Sequence, residues 1–341
     1  MEYSYLGKTG LQVSKICLGM MSFGSSDWQS WVLPEKEGVG FVRLALDRGI
    51  NFFDTANFYS TGRSEQALGD AIKQLTDREN VVIGTKVGLP MGDGLHQRGL
   101  SRKHITREID ASLKRLRTDY IDLYQLHFPD YAVEIDETVD ALNDVVRAGK
   151  ALYVGVSNHP MWRFAPMFYS SLHRHGLHMS AVQLQYNLAF REDERDLLPF
   201  CQTQGIGVTV YSPLARGWLA GNRAGQSTSG MSAREQTRAA GDLKAHATYG
   251  SDDDVRILDR LLEVAKARGV PPGRVAMSWV LSKPAVTSIL CGALELAHID
   301  EAVNAVELKL SLDEIAALEE PYRPQVPKDV NVPIVPGGKR F

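Results

Sequence analysis

Four residues of this chain could pass a proton among themselves: Asp54, Tyr59, Lys86 and His127. Each stands at or just beyond the end of a short apolar run. Asp54 closes I-N-F-F-D, which begins at Ile50, and an acid there is costly unless it is paired or hydrogen-bonded. Tyr59 follows in the same strand-to-helix loop, ahead of a Ser60-Thr61-Gly62 turn. Lys86 ends the run Val81–Thr85, and His127 ends Tyr120–Leu126. A free phenol titrates at about pH 10. A lysine ammonium beside it stabilises the phenolate and lowers that value, and an aspartate can hold the lysine by an ion pair. A histidine can orient a polar substrate group. A phenol so placed can protonate a carbonyl oxygen as it becomes an alkoxide. No nucleophile is evident, so the electrons must come from a bound cofactor. Later runs end in groups suited to hold one: Ser157, Asn158 and Gln183 for an amide, and Tyr211 for an aromatic face.

Alone, Asp54 with Lys86 reads as a structural ion pair, and His127 as a satisfied core histidine. Tyr59 in the same loop as Asp54, with His127 two runs later, shifts the reading to function, because perturbed groups cluster at sites. What must position them is the alternation of the chain. A hairpin over residues 1–13 precedes eight apolar runs, each followed by a helical pattern, including 64–75, 101–117 with Ser101 as cap, 136–148, 160–175 and 193–204. Two-sided apolar strands feed a parallel sheet, and eight βα units close into a (β/α)8 TIM barrel. The expectation is an α/β fold, one domain over 1–341, with the site at the strand C-termini. The rhythm breaks at 218–252, a polar, Gly/Ser-rich stretch after the seventh strand. It reads as a long loop, mobile without cofactor and ordered with it.

The composition, 44% hydrophobic and 23% charged, suits a globular enzyme. A net charge of −3 without a basic stripe excludes a nucleic-acid partner. No apolar stretch is long enough for a membrane, and Met1–Ser4 does not open a signal peptide. Cys17, Cys201 and Cys291 lie far apart, so reduced thiols and a cytoplasmic location are expected. His173, His175 and His178 have no acidic or Cys partner near in sequence and read as a solvated helix end, so no metal site is expected. Trp28, Trp31, Phe58, Phe128, Trp162 and Trp218 crown the barrel mouth, and several should line a substrate pocket.

The motifs D-T-A-x-x-Y at 54–59, T-K at 85–86, Q-L-H at 125–127, G-V-S-N at 155–158, Q-Y-N at 185–187 and Y-S-P-L-A-R-G at 211–217 resemble the aldo-keto reductase superfamily. L-G-K-T-G-L-x-V-S at 6–14 and L-N-D-V-V-R-A-G-K at 142–150 resemble its bacterial branch, which is similar to potassium-channel β subunits. The resemblance implies Tyr59 as general acid or base, tuned by Lys86 and Asp54, with His127 binding the carbonyl. It implies a nicotinamide dinucleotide held by Met21, Ser157, Asn158, Gln183, Tyr211, Ser212, Pro213, Leu214 and Gly217, with Gly292, Leu294 and His298 at the adenosine end. The substrate would be an aldehyde, ketone or sugar carbonyl, or its alcohol. The family habit is NADP(H). Leu294 and Glu295, where the family places a hydroxyl and cations, point instead to NAD(H), and Arg223, Lys244 or another cation of the long loop is the alternative grip. A non-catalytic nucleotide-sensing subunit is the second reading, which steady turnover of a carbonyl would dismiss. The oligomeric state is not legible.

Overall fold

The apolar runs form strands where the pattern places them. A computed structural model describes residues 1–221 and 231–324; Arg223, part of 218–252 and most of the tail 321–341 lie outside the described residues. The eight barrel strands, numbered β1–β8, are Ile16–Gly19, Phe52–Asp54, Val82–Val87, Ile121–Leu126, Ala151–Ser157, Met179–Gln185, Gly207–Tyr211 and Val286–Gly292. All pair in parallel with their sequence neighbours, and β8 closes on β1 through Ile289↔Ile16 to Gly292↔Gly19. Strands covered on both faces must be apolar along their length, and β3 and β4 are buried at every position. Helices cover the outside. Ile135–Arg147, for example, buries Val139, Leu142 and Val145 at helical spacing and leaves its charges outward.

The hairpin is present, Tyr3–Tyr5 against Gln12–Ser14. Its Leu6 and Val13 join Cys17, Phe52, Val82, Leu123, Ala181 and Leu290 in one apolar cluster. Close approach there demands glycine: a Cβ on Gly207 would lie 2.7 Å from Leu6 Cδ1.

Two expectations need correction. The helix predicted over 193–204 is a short turn, Glu192–Glu194, and then Leu197–Gln204. Asp196 leaves the helical conformation and its side chain accepts from the Leu197 N–H at 2.6 Å, which restarts the helix. The stretch 218–252 is also not a plain loop. Its described part holds helices Ala233–Gly241 and Leu243–Thr248. The first begins with a capping box, in which Ser232 and Glu235 satisfy each other's backbone N–H. Arg216 Nε reaches Asp242 at 2.8 and 2.9 Å, Arg234 reaches Glu37 at 2.7 Å, and Arg238 lies 4.7 Å over the Trp31 ring. These contacts lay the crossover against the barrel mouth.

Candidate active site

β2 carries Asp54 to the mouth, and β3 carries Lys86 beside it. The Lys86 ammonium donates to Asp54 Oδ1 and, at 2.8 Å, to the Thr55 carbonyl. Gln183 Nε2 donates to Asp54 Oδ2 at 2.9 Å, and Gln125 Nε2 at 3.4 Å. The pair is shut from water, with side-chain exposures of 0% and 1%. Burial opposes the Lys86 charge, but Asp54 and then Tyr59 outweigh it, and its pKa rises above the ordinary lysine value. Lys86 is a fixed ammonium.

Tyr59 is turned into the site by three left-handed residues, Ser60 (φ 49°), Thr61 (φ 53°) and Gly62 (φ 92°). That conformation costs about 1–2 kcal/mol per non-glycine residue, so the surroundings must impose it. Lys86 Nζ lies 5.1 Å from the Tyr59 ring centroid, and the His127 ring stands edge-on at 5.7 Å. Lys86 was expected to lower the phenol's pKa. It does pull downward, but burial is the larger effect and the phenol ends above its ordinary value. At neutral pH Tyr59 therefore carries its proton. His127 stacks on Phe128 at 5.3 Å. Burial, then Lys86, hold its pKa well below the histidine value, so the imidazole is neutral. Its Nδ1 is buried without a hydrogen-bond partner among the described residues.

A cavity of about 990 Å³ opens above these groups. Asp54, Tyr59 and His127 line it together with Met21, Ser157, Asn158, Gln183, Tyr211, Ser212, Pro213, Leu214, Gly217, Gly292, Leu294 and His298. Lys86 stands behind the wall. Trp28, Trp31, Phe58, Phe128 and Trp218 line the cavity, whereas Trp162 is 65% exposed and stacks on Tyr131 outside it. The amide trio is partly engaged already. Asn158 Nδ2 donates to the His127 carbonyl and to Ser157 Oγ, both at 2.9 Å, and its Oδ1 accepts from Tyr211 OH at 2.6 Å. Asn158 thus braces Tyr211, while Ser157 retains a hydroxyl hydrogen and Gln183 a carbonyl oxygen for a ligand amide. After β7 the backbone turns through Ser212, Ala215, Arg216 and Gly217, all at positive φ.

Residues 15–323 match the Aldo/keto reductase family. The chain belongs to that family. Relatives agree along almost the whole length. A versiconal hemiacetal acetate reductase of Aspergillus parasiticus is 40% identical, covering 95% of this chain and 98% of that one. A candidate aryl-alcohol dehydrogenase of Schizosaccharomyces pombe is 38% identical, covering 94% and 96%. An aldo-keto reductase of Fusarium vanettenii is 36% identical, covering 95% and 92%. Membership makes this aldo-keto reductase an oxidoreductase by family.

At the last βα loop this aldo-keto reductase brings cations from a different element. Leu294 is buried and lines the cavity, but Glu295 is not among the lining residues. Arg238 lines it instead, its Nη1 3.9 Å from where a Cβ on Gly292 would lie. Asp242 is taken up by Arg216, and Arg238 Nε remains 3.9 Å away, buried without a hydrogen bond among the described residues. Burial and then the Arg216 charge press the Arg238 pKa down to about 10. The carboxylates nearby are engaged, Glu235 with His298 at 3.1 Å and Glu301 with Arg274 at 2.8 Å. Sequence reasoning missed Arg216, Arg238 and Asp242. The S-x-x-E signature at Ser232–Glu235 is the signal that could have found the helix that bears Arg238 and ends at Asp242. It also missed an acidic partner for the histidine cluster: His175 Nε2 lies 2.6 Å from Asp140 at the helix end.

Proposed function

We propose that this protein is a nicotinamide-dependent oxidoreductase that interconverts a carbonyl and its alcohol, with Tyr59 as the proton donor in reduction and the base in oxidation. The observation that carries the reading is one cavity whose floor holds a protonated phenol and a neutral imidazole over a buried ammonium–carboxylate pair, and whose wall holds Ser157, Asn158, Gln183 and Tyr211. That wall fits a nicotinamide dinucleotide: Ser157 and Gln183 for the amide, Tyr211 for the ring, the turn Ser212–Gly217 for the pyrophosphate, and Arg238, held only by the Trp31 ring and a 3.9 Å approach to Asp242 among the described residues, for a phosphate. When bound, the cofactor would supply the hydride. Tyr59 gives its proton to the carbonyl oxygen, which His127 holds by an N–H. Lys86 steadies the phenolate left behind, and Asp54 keeps Lys86 in place.

Trp28, Phe58, Phe128 and Trp218 favour an aromatic or bulky apolar carbonyl over a sugar. The name of the Schizosaccharomyces relative, a candidate aryl-alcohol dehydrogenase, leans the same way. Arg238 favours NADP(H) over NAD(H), since a phosphate monoester wants a guanidinium, and Glu295 outside the cavity lining does not oppose it. The test is turnover of benzaldehydes, diketones and sugars with each reduced cofactor. Absence of turnover for every carbonyl would leave the nucleotide-sensing alternative. A wild type indifferent to the 2′-phosphate, or Arg238→Ala leaving NADPH binding unchanged, would remove Arg238 from the reading.

A further inference from the structure

Behind Tyr59, on the far side from the cavity, lies a buried ionic network that proton transfer does not use. Helix Arg102–Leu116 places Glu108, Ser112 and Arg115 on one face by their four- and three-residue spacing. Arg115 runs directly beneath the left-handed turn: a Cβ on Gly62 would lie 2.5 Å from Arg115 Cδ. Its Nε donates to Glu65 Oε2 at 2.5 Å and its Nη2 to Ser112 Oγ at 3.2 Å. Glu65 is fully buried, and its other oxygen accepts from Thr85 Oγ1 at 2.6 Å. Thr85 immediately precedes Lys86. On the other side of Tyr59, Asn57 Nδ2 donates to Glu108 Oε2 at 3.0 Å, and the Asn57 N–H to the Lys86 carbonyl at 3.2 Å. Glu108 lies 3.7 Å from Arg115 and 2.7 Å from Arg107. The loop bearing Tyr59 is thus gripped before and after the tyrosine by one helix, and that helix is tied through Glu65 to the strand bearing Lys86.

We propose that Arg115 is a positioning residue for Tyr59. With Glu65 and Thr85 as its link to β3 and Glu108 and Asn57 as its second hold, it fixes the phenol relative to the Lys86 ammonium. The inference rests on the reading of Tyr59 as the proton donor. The network touches neither the cavity wall that would hold a cofactor nor a substrate. Its loss should therefore act on the chemical step and spare nucleotide binding.

The experiment compares wild type with Arg115→Ala, Arg115→Lys, Thr85→Val and Tyr59→Phe. It measures kcat and KM for carbonyl reduction, NADPH affinity by fluorescence quenching, and the pH profile of alcohol oxidation. Arg115→Ala should lower kcat on the order of 10²-fold, the penalty for a small misplacement of a reacting group. NADPH affinity should hold within about twofold of wild type, well under the tenfold that 1.4 kcal/mol represents. The pH limb that reports the phenol should move upward, because a phenol further from Lys86 is harder to ionise. Arg115→Lys should recover part of kcat, and Thr85→Val should show a smaller loss of the same kind. An unchanged kcat and pH limb in Arg115→Ala would overturn the proposal, as would a fall in kcat matched by an equal fall in NADPH affinity. If Arg115→Ala does not fold, Thr85→Val decides, and full kcat in that variant overturns it. Wild-type turnover in Tyr59→Phe would instead overturn the parent reading and leaves a different signature.

Discussion

In the proposed reaction Tyr59, Lys86, Asp54 and His127 would divide the work of one proton transfer, and each has its own measurable failure. Tyr59→Phe removes the proton donor and keeps the ring against Trp28, 6.1 Å away. Carbonyl reduction should fall by about 10²–10⁴-fold while NADPH still binds; wild-type turnover on the best substrate would refute the role. Lys86→Met strands Asp54 as an uncompensated buried charge. It should cost about 3–5 kcal/mol in urea unfolding as well as activity. The pH dependence follows from the directions of the shifts. Tyr59, raised by burial, keeps its proton at neutral pH, so reduction should be flat there and fall only on the alkaline side. Oxidation, which needs the phenolate, should rise over that same limb. His127, lowered by burial and Lys86, should add no inflection across about pH 6–8. The convergence of these four was legible because the ends of apolar runs meet at one mouth of a barrel. The sign of the Tyr59 shift was not, since it depends on how deeply the phenol is buried. Arg115 and Arg238 were not legible either, because nothing local to them shows which loop they will face.

The elements that bear these residues were read well where the chain repeats and poorly where it does not. Largely apolar runs leave little choice for β3 or β4, buried at every position. Among the described residues the crossover after β7 lacks a hydrophobic stripe beyond Leu219, and its helix Ala233–Gly241 buries no residue fully. Its fold is set by ion pairs such as Arg216–Asp242 rather than by a hydrophobic stripe, so periodicity could not announce it. That construction leaves few apolar contacts to oppose the opening of helix Ala233–Gly241. Limited proteolysis of this segment should slow with saturating NADPH. Equal cleavage rates with and without the nucleotide would contradict a clamping role. Arg216→Ala should speed NADPH release by removing the bidentate hold on Asp242, as stopped-flow dissociation would measure.

At the scale of the whole molecule, the barrel interior is filled from below by the N-terminal hairpin rather than by strand side chains alone. Leu6 is fully buried among them. Leu6→Ala should cost about 2–5 kcal/mol in urea unfolding while leaving KM for the carbonyl unchanged, since the cavity lies at the other end. The hairpin itself was legible from its Gly-Lys-Thr-Gly turn; its service as a plug was not, because that depends on Gly207 lying beneath Leu6. The closing contact of the barrel joins Ile289 to Ile16, nearly the two ends of the fold. On a growing chain the strands that lead to Asp54, Lys86 and His127 are made early, and the rim that bears Gly292 last. Until Val286–Gly292 leaves the ribosome, β1 keeps an unpaired edge and the plugged interior stays open along one side. Chains that stop short of Val286 should bind hydrophobic dyes and self-associate. The strand that completes the mouth of the cavity is also the one that removes the last open edge.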